Sequence, residues 1–105
     1  MKSFTDIEQS KKLAEILPLK SADMFYWCGD QIRLGSYMAM DNDLDIPAWS
    51  LAALLSVIPS GKALIHDKGN RGYKCICNNI DTYFYDNPID ACMEMILKLK
   101  EKNLL

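Results

Sequence analysis

Cys28, Cys75, Cys77 and Cys92, with the single histidine His66, are the side chains of this 105-residue chain best equipped for chemistry. A thiolate beside an imidazole is the simplest nucleophile and base. Four thiol and imidazole ligands close a tetrahedral zinc site. The spacing marks neither. Cys75 and Cys77 are one residue apart, so on a strand their Cα atoms stand ~7 Å apart on one face. That is the outer limit for a disulfide and not the two-residue spacing of a zinc knuckle. No nucleophile elbow or family signature surrounds Cys28, His66 or Cys75. Cysteine is commonly buried as a small apolar side chain, and a histidine beside Asp67 and Lys68 at a strand end reads as a surface residue. Whether Cys28, His66, Cys75, Cys77 and Cys92 gather in space is for the fold to decide.

Asp41, Asp43 and Asp45 place carboxylates at every second position of a loop, as at the start of an EF-hand. The pattern then fails: the sixth position is Ile46, where glycine is needed, and the twelfth is Ala52, where a bidentate glutamate belongs. A solvated acidic linker before a helix N-terminus explains the run without a metal. Gly69-Asn70-Arg71-Gly72 lacks the full glycine pattern, the lysine and the following helix of a phosphate loop. It reads as a hairpin turn with Arg71 exposed. Tyr26, Trp27, Tyr37, Tyr73, Tyr83, Phe84 and Tyr85 concentrate aromatics on expected strands. Stacking of single-stranded nucleic acid needs an open basic face, whereas the net charge is −2. Core and edge packing, or a protein-binding surface for any tyrosine left uncovered, fits them better. No catalytic, cofactor-binding or metal-binding residue is assigned, and no cofactor.

The elements that must position these residues follow from periodicity. Thr5 and Glu8 have capping-box spacing at the start of a helix running to about Leu17, with Ile7, Ser10, Ala14 and Leu17 on one face; Pro18 ends it. Met24-Phe25-Tyr26-Trp27-Cys28, apolar on both faces, predicts a strand over Asp23–Cys28 that is covered on both sides. Gly29-Asp30 turns the chain into a second strand, Gln31–Met38, which Gly35 and Ser36 shorten or break. Pro47 at a first helical position opens a nearly all-apolar helix, Pro47–Ile58, with Trp49 and Leu54 in the core. Strands follow at Ala63–His66, Tyr73–Cys77 and Thr82–Tyr85, with turns at 67–72 and 78–81. Tyr73, Cys75 and Cys77 share one face of their strand, Lys74 and Ile76 the other. Asn87 as N-cap, Pro88 at the first helical position and Asp90 near the dipole start the last helix. Its stripe is Ile89, Cys92, Met93, Ile96 and Leu99, with Glu94, Lys98, Lys100 and Glu101 facing water.

Half the residues are hydrophobic, enough for a core, and the length is that of one domain, residues 1–105. The expectation is an α+β fold in the order α-β-β-α-β-β-β-α: an antiparallel sheet of about 4–5 strands with three helices packed on its faces. The N-terminus turns polar before a signal peptide can form. Pro47–Pro59, the longest apolar stretch, is far short of the ~20 residues that span a bilayer. A reducing cytoplasm, four free thiols and no membrane association are expected.

The run Pro47-Ala48-Trp49-Ser50-Leu51-Ala52-Ala53-Leu54-Leu55, the ending Asn87-Pro88-Ile89-Asp90-Ala91-Cys92, the opening helix and Ala22-Asp23-Met24 resemble a family of small uncharacterised proteins of Bacteroides-type gut bacteria and their prophages. The layout is similar to the phage ABA sandwich domains, an antiparallel sheet between helix layers. The resemblance implies a phage or mobile-element origin and carries no catalytic motif. The leading expectation is therefore a small non-enzymatic protein that acts by binding another macromolecule, either another protein or itself, with no nucleic acid. One alternative is a metal- or thiol-dependent enzyme using Cys28, His66, Cys75 and Cys77. Another is a structural subunit of an oligomer, marked by an apolar patch that a symmetry mate would cover.

Overall fold

The computed structural model describes residues 2–40, 43–67, 69 and 71–105, with residue 37 described through its backbone. The chain is α+β. Its elements are α1 (Ile7–Ala14), β1 (Met24–Trp27), β2 (Gln31–Leu34), β3 (Ile46–Ala48), α2 (Leu51–Val57), β4 (Lys62–Asp67), β5 (Gly72–Cys77), β6 (Ile80–Asp81) and α3 (Pro88–Glu101). The strands make two antiparallel sheets, β2-β1-β3 and β4-β5-β6, and this corrects the expected single sheet of 4–5 strands. The unforeseen strand is β3. It completes a sheet with the first hairpin, and α2 then separates that sheet in sequence from the later strands. The chain divides into two compact units, Phe4–Ala53, and Met1–Ser3 with Leu54–Leu105.

In the unit Phe4–Ala53, β1 is the central strand. Met24 pairs with Leu34 and Ala48, and Tyr26 with Ile32 and Ile46. Met24, Phe25 and Tyr26 are all buried, as a strand apolar on both faces requires. One face carries the cluster of Met24, Tyr26 and Ala48, with Phe4, Ile7, Ile32 and Ile46 packed on it. The β1–β2 turn runs through Cys28 and Gly29, both at positive φ. β2 ends at Leu34, where Gly35 begins to break it; a 3-10 turn occupies Tyr37–Ala39 instead of continued strand.

Two corrections concern helix starts. Asp6, not Thr5, caps α1, through a capping box with Gln9, and α1 ends at Ala14. Thr5 is instead buried: its Oγ1 lies 2.8 Å from Ser10 Oγ and accepts from Trp49 N at 3.1 Å. Ala14, expected on the apolar face, is exposed. Pro47 does not begin a helix either. It lies in β3 opposite Phe25, an edge position where a missing N–H costs no ladder bond. The helix starts only at Leu51, because Asp23 Oδ1 takes Ser50 N at 2.9 Å while Ser50 Oγ accepts from Ala53 N at 3.2 Å, as an N-cap does. Trp49 and Leu54 are fully buried.

In the other unit α3 packs along β5. Asn87 Oδ1 accepts from Asp90 N at 2.9 Å and Pro88 opens the helix. Ile89, Cys92, Met93, Ile96 and Leu99 are buried, with Ala91 and Met95 beside them. Cys75 and Cys77 of β5 are buried, while Lys74 and Ile76 on the opposite face are half-exposed. β6 differs from expectation: Ile80-Asp81, taken for turn, pairs with Cys77 and Ile76. Beyond it Tyr85 bridges Tyr73. Three residues therefore lie between Asp81 and Tyr85 where two lie between Tyr73 and Ile76, which is a β-bulge. Thr82 keeps register opposite Cys75, accepting from Cys75 N at 3.0 Å and donating its N–H to Cys75 O at 3.1 Å, so the extra residue falls at Tyr83-Phe84, opposite Lys74. Among the described residues no helix is long and apolar enough to cross a membrane.

Candidate interaction surface

The residues expected to do chemistry are spread over the fold. Cys28 is exposed in the β1–β2 turn, its N–H donating to Asp45 Oδ1 at 2.8 Å. His66 is exposed on β4, its ring stacked on Tyr73 at 4.2 Å. Cys75, Cys77 and Cys92 are buried thiols. The Cys92 thiol hydrogen-bonds Cys75; that contact and then burial push Cys92 far above an ordinary thiol, so it stays protonated and unreactive. Asp43 is exposed, whereas Asp45 is turned inward onto the Cys28 turn; Asp41 lies outside the described residues. Among the described residues no group of His, Cys, Asp and Glu is arranged to hold a metal ion.

What the fold does bring together is a set of cations and aromatics on the sheet β4-β5-β6. Arg71, at the end of the β4–β5 turn, lays its guanidinium 4.4 Å from the centre of the Phe84 ring. Lys74 of β5 places Nζ 5.2 Å from the same ring. Lys98 of α3 stands 5.7 Å from the ring of Tyr83, which is 77% exposed. The bulge at Tyr83-Phe84 makes this arrangement, since one extra residue re-aims the side chains there. Asn70, of the same turn, lies outside the described residues. Asn78 serves turn geometry: it adopts positive φ, and its N–H donates to Gly61 O at 3.1 Å.

Each cation has a carboxylate partner. Arg71 Nε pairs with Asp67 Oδ2, Lys74 Nζ lies 3.4 Å from Asp81, and Lys98 Nζ lies 2.9 Å from Glu94. The Arg71 hydrogen bond, helped by Gly69 N–H, holds Asp67 below the usual carboxylate range. The surface is thus mixed in sign rather than a basic groove, and this argues against a polyanion as its ligand.

Glu94 fixes the aromatic segment to α3. Its Oε1 accepts from Tyr83 N at 3.1 Å and from Tyr85 Oη at 2.7 Å. Burial works to raise Glu94, but the bonds from Tyr85, Lys98 and Tyr83 N–H outweigh it and keep the carboxylate ionised. The same bond, with burial, raises Tyr85 to about 12. A carboxylate paired with a phenol that stays protonated braces the segment rather than moving a proton. Glu94 and Lys98, read from periodicity as simply facing water, were missed as contributors. Their i, i+4 spacing was the available signal.

Compared with family models, with curated proteins and with solved structures, the chain matches none.

Proposed function

We propose that this is a small non-enzymatic protein that binds another protein through the surface of Arg71, Lys74, Tyr83 and Phe84. The observation that carries the reading is Tyr83, exposed beside a Phe84 ring with two cations over it, on a segment that Glu94 holds in place. Arginine and tyrosine are the residue types that dominate binding energy at protein interfaces. A braced backbone lowers the ordering cost of docking. A nucleic acid ligand fits less well, because every cation here is matched by a carboxylate. A thiol or metal enzyme is also disfavoured: Cys28 and His66 are exposed, while Cys75 and Cys77 are buried and Cys75 is in contact with Cys92. A phage or mobile-element origin rests on the resemblance of the opening helix, Ala22-Asp23-Met24, the Pro47–Leu55 run and the Asn87–Cys92 ending, and a cytoplasmic location rests on the four free thiols.

The test is a photocrosslinking residue placed at Tyr83 and, as control, at Lys11 on the exposed side of α1. Crosslinking in host lysate should give a discrete adduct from position 83 only. Arg71→Ala should weaken that adduct and leave the far-ultraviolet circular dichroism unchanged. Equal labelling from both positions, or a specific small-molecule ligand with no protein adduct, contradicts the proposal.

A further inference from the structure

The four sheet edges are treated unequally. On β3, Pro47 offers no N–H, and the N-terminal segment closes the end of the strand: Thr5 N donates to Trp49 O at 3.0 Å, and Phe4 bridges Ser50. β6 is two residues long, and α3 side chains take up polar groups of β6 and of the segment after it, Lys98 Nζ on Asp81 O at 2.8 Å and Glu94 on Tyr83 N at 3.1 Å. β2 is four residues long and carries Arg33, whose guanidinium lies 4.6 Å from the Trp27 ring centre. β4 has six residues, Lys62-Ala63-Leu64-Ile65-His66-Asp67, with no proline, glycine or bulge. Ala63 and Ile65 in its middle are exposed. Proteins normally blunt such an edge.

The ladder shows which groups β4 turns outward. Tyr73 exchanges both backbone bonds with Tyr85, and Cys75 O accepts from Thr82 N, so both residues of β5 point their polar groups away from β4. Their partners His66 and Leu64 are then the non-hydrogen-bonded pairs of the β4–β5 ladder. Leu64 and His66, and by the same alternation Lys62, hold N–H and C=O away from β5. Ala63 and Ile65 bond inward and present their side chains on the outer face.

We propose that β4 pairs antiparallel with β4 of a second copy of this chain, about a two-fold axis through Leu64, joining two three-stranded sheets into one. This is independent of the Arg71 surface. The axis stands perpendicular to the sheet, so residues of equal parity face each other. Leu64 meets its own counterpart, and Lys62 meets His66 of the second copy; these are the residues with outward N–H and C=O, so each pair exchanges backbone bonds. Between them Ala63 meets Ile65 of the second copy, apolar on apolar. Strand length selects this register, because an axis at Leu64 engages the outward groups of Lys62, Leu64 and His66, whereas an axis at Ile65 engages only those of Leu64 and His66. The Lys62 side chain lies across from His66 of the second copy, with its Nζ donating to Ile58 O of its own chain at 3.0 Å. Asp67 stays on Arg71 and Gly69 N. An axis through Ile65 would instead set the Asp67 carboxylate against Ala63. Isologous pairing of this kind is self-limiting at a dimer.

The experiment is sedimentation equilibrium of the full chain from low micromolar to millimolar concentration, with circular dichroism on every variant. Wild type should show a monomer–dimer equilibrium. Ile65→Lys, at an exposed position, should keep its spectrum and weaken the dimer at least ~tenfold. His66→Glu, facing Lys62, should tighten it. Register is read by mixing Ala63→Cys and Ile65→Cys chains, each carrying Cys28→Ser, under mild oxidation: the mixture should form a covalent dimer faster than either variant alone. A wild-type monomer at millimolar concentration overturns the proposal. So does an Ile65→Lys chain that dimerises as wild type, or Ile65→Cys alone crosslinking faster than the mixture.

Discussion

The sheet β2-β1-β3 and the sheet β4-β5-β6 each set one strand between two others, but they bury that strand differently. β1 reads Met-Phe-Tyr-Trp, and Met24, Phe25 and Tyr26 are buried on both faces. β5 alternates: Cys75 and Cys77 are buried, while Lys74 and Ile76 are half-exposed. The first sheet spends its apolar residues on its centre and closes β3 with a proline and the N-terminal segment. The second leaves one face of β5 to cations and aromatics and leaves β4 open along its length. Stability is thus concentrated in β1, Trp49 and α3, and the surfaces able to meet a partner lie on the later sheet. A strand covered on both faces has little left to offer a partner, whereas a half-covered strand does.

The largest expected effect falls on the buried side of this contrast. Trp49 is fully buried, and its Nε1 donates to Ser21 Oγ at 2.9 Å. Trp49→Ala should cost about 3–5 kcal/mol in urea denaturation. A cost near that of a surface substitution would remove Trp49 from the core. Gly72→Ala comes next. Gly72 has φ +93°, and a Cβ there would stand 2.0 Å from Tyr85 O. The substitution should cost about 2–3 kcal/mol from backbone strain alone and disturb the Tyr73–Tyr85 bridge. Unchanged stability would mean that the bulged segment is not held where described.

Tyr85→Phe tests the Glu94 brace and should cost about 1–2 kcal/mol at neutral pH. The pH dependence has a definite sign. The folded Tyr85 value, about 12, lies above the ordinary tyrosine value near ~10, so its stabilisation is complete below about pH 10 and is lost as pH rises through 12. Glu94 is lowered, so its contribution is complete above the ordinary carboxylate range and is lost as pH falls through its folded value. Tyr85→Phe should flatten the alkaline limb of the stability curve and make the acid limb shallower. An alkaline limb identical to wild type would sink the assignment. The smallest effect is a rate: of the four thiols, Cys28 should react with a disulfide reagent within seconds under native conditions, with Cys75, Cys77 and Cys92 reacting only on unfolding. More than one fast thiol would show that the β5–α3 contact opens readily.

The parts of the fold legible in the sequence were those set by neighbours in the chain. Asn87, Pro88 and Asp90 mark the start of α3, and the alternation of 73–77 marks β5 and its buried face. Elements set by distant partners were misread. Pro47 has the right type for a first helical turn, but Phe25 pairs with it and Asp23 holds Ser50, moving the helix start to Leu51. Thr5 has the spacing of a cap, but Trp49 N–H recruits its hydroxyl inward. The expected strand Thr82–Tyr85 bonds β5 only at its two ends, and leaves the ladder between them, where Glu94 takes Tyr83 N. Of the candidate surface, exposed Arg71 and uncovered Tyr83 could be named from residue type and turn position. The cations over Phe84 could not, since they depend on the extra residue at the bulge.

Amide hydrogen exchange along β4, read residue by residue by NMR at two protein concentrations, tests the open edge most directly. In dilute solution the amides of Lys62, Leu64 and His66 should exchange fast, while those of Ala63, Ile65 and Asp67 are protected by β5. At high concentration the first set should slow and the second should change little. Protection of Lys62, Leu64 and His66 in dilute solution, or exchange that ignores concentration, would contradict an edge that is open in the single chain and closed by a second copy.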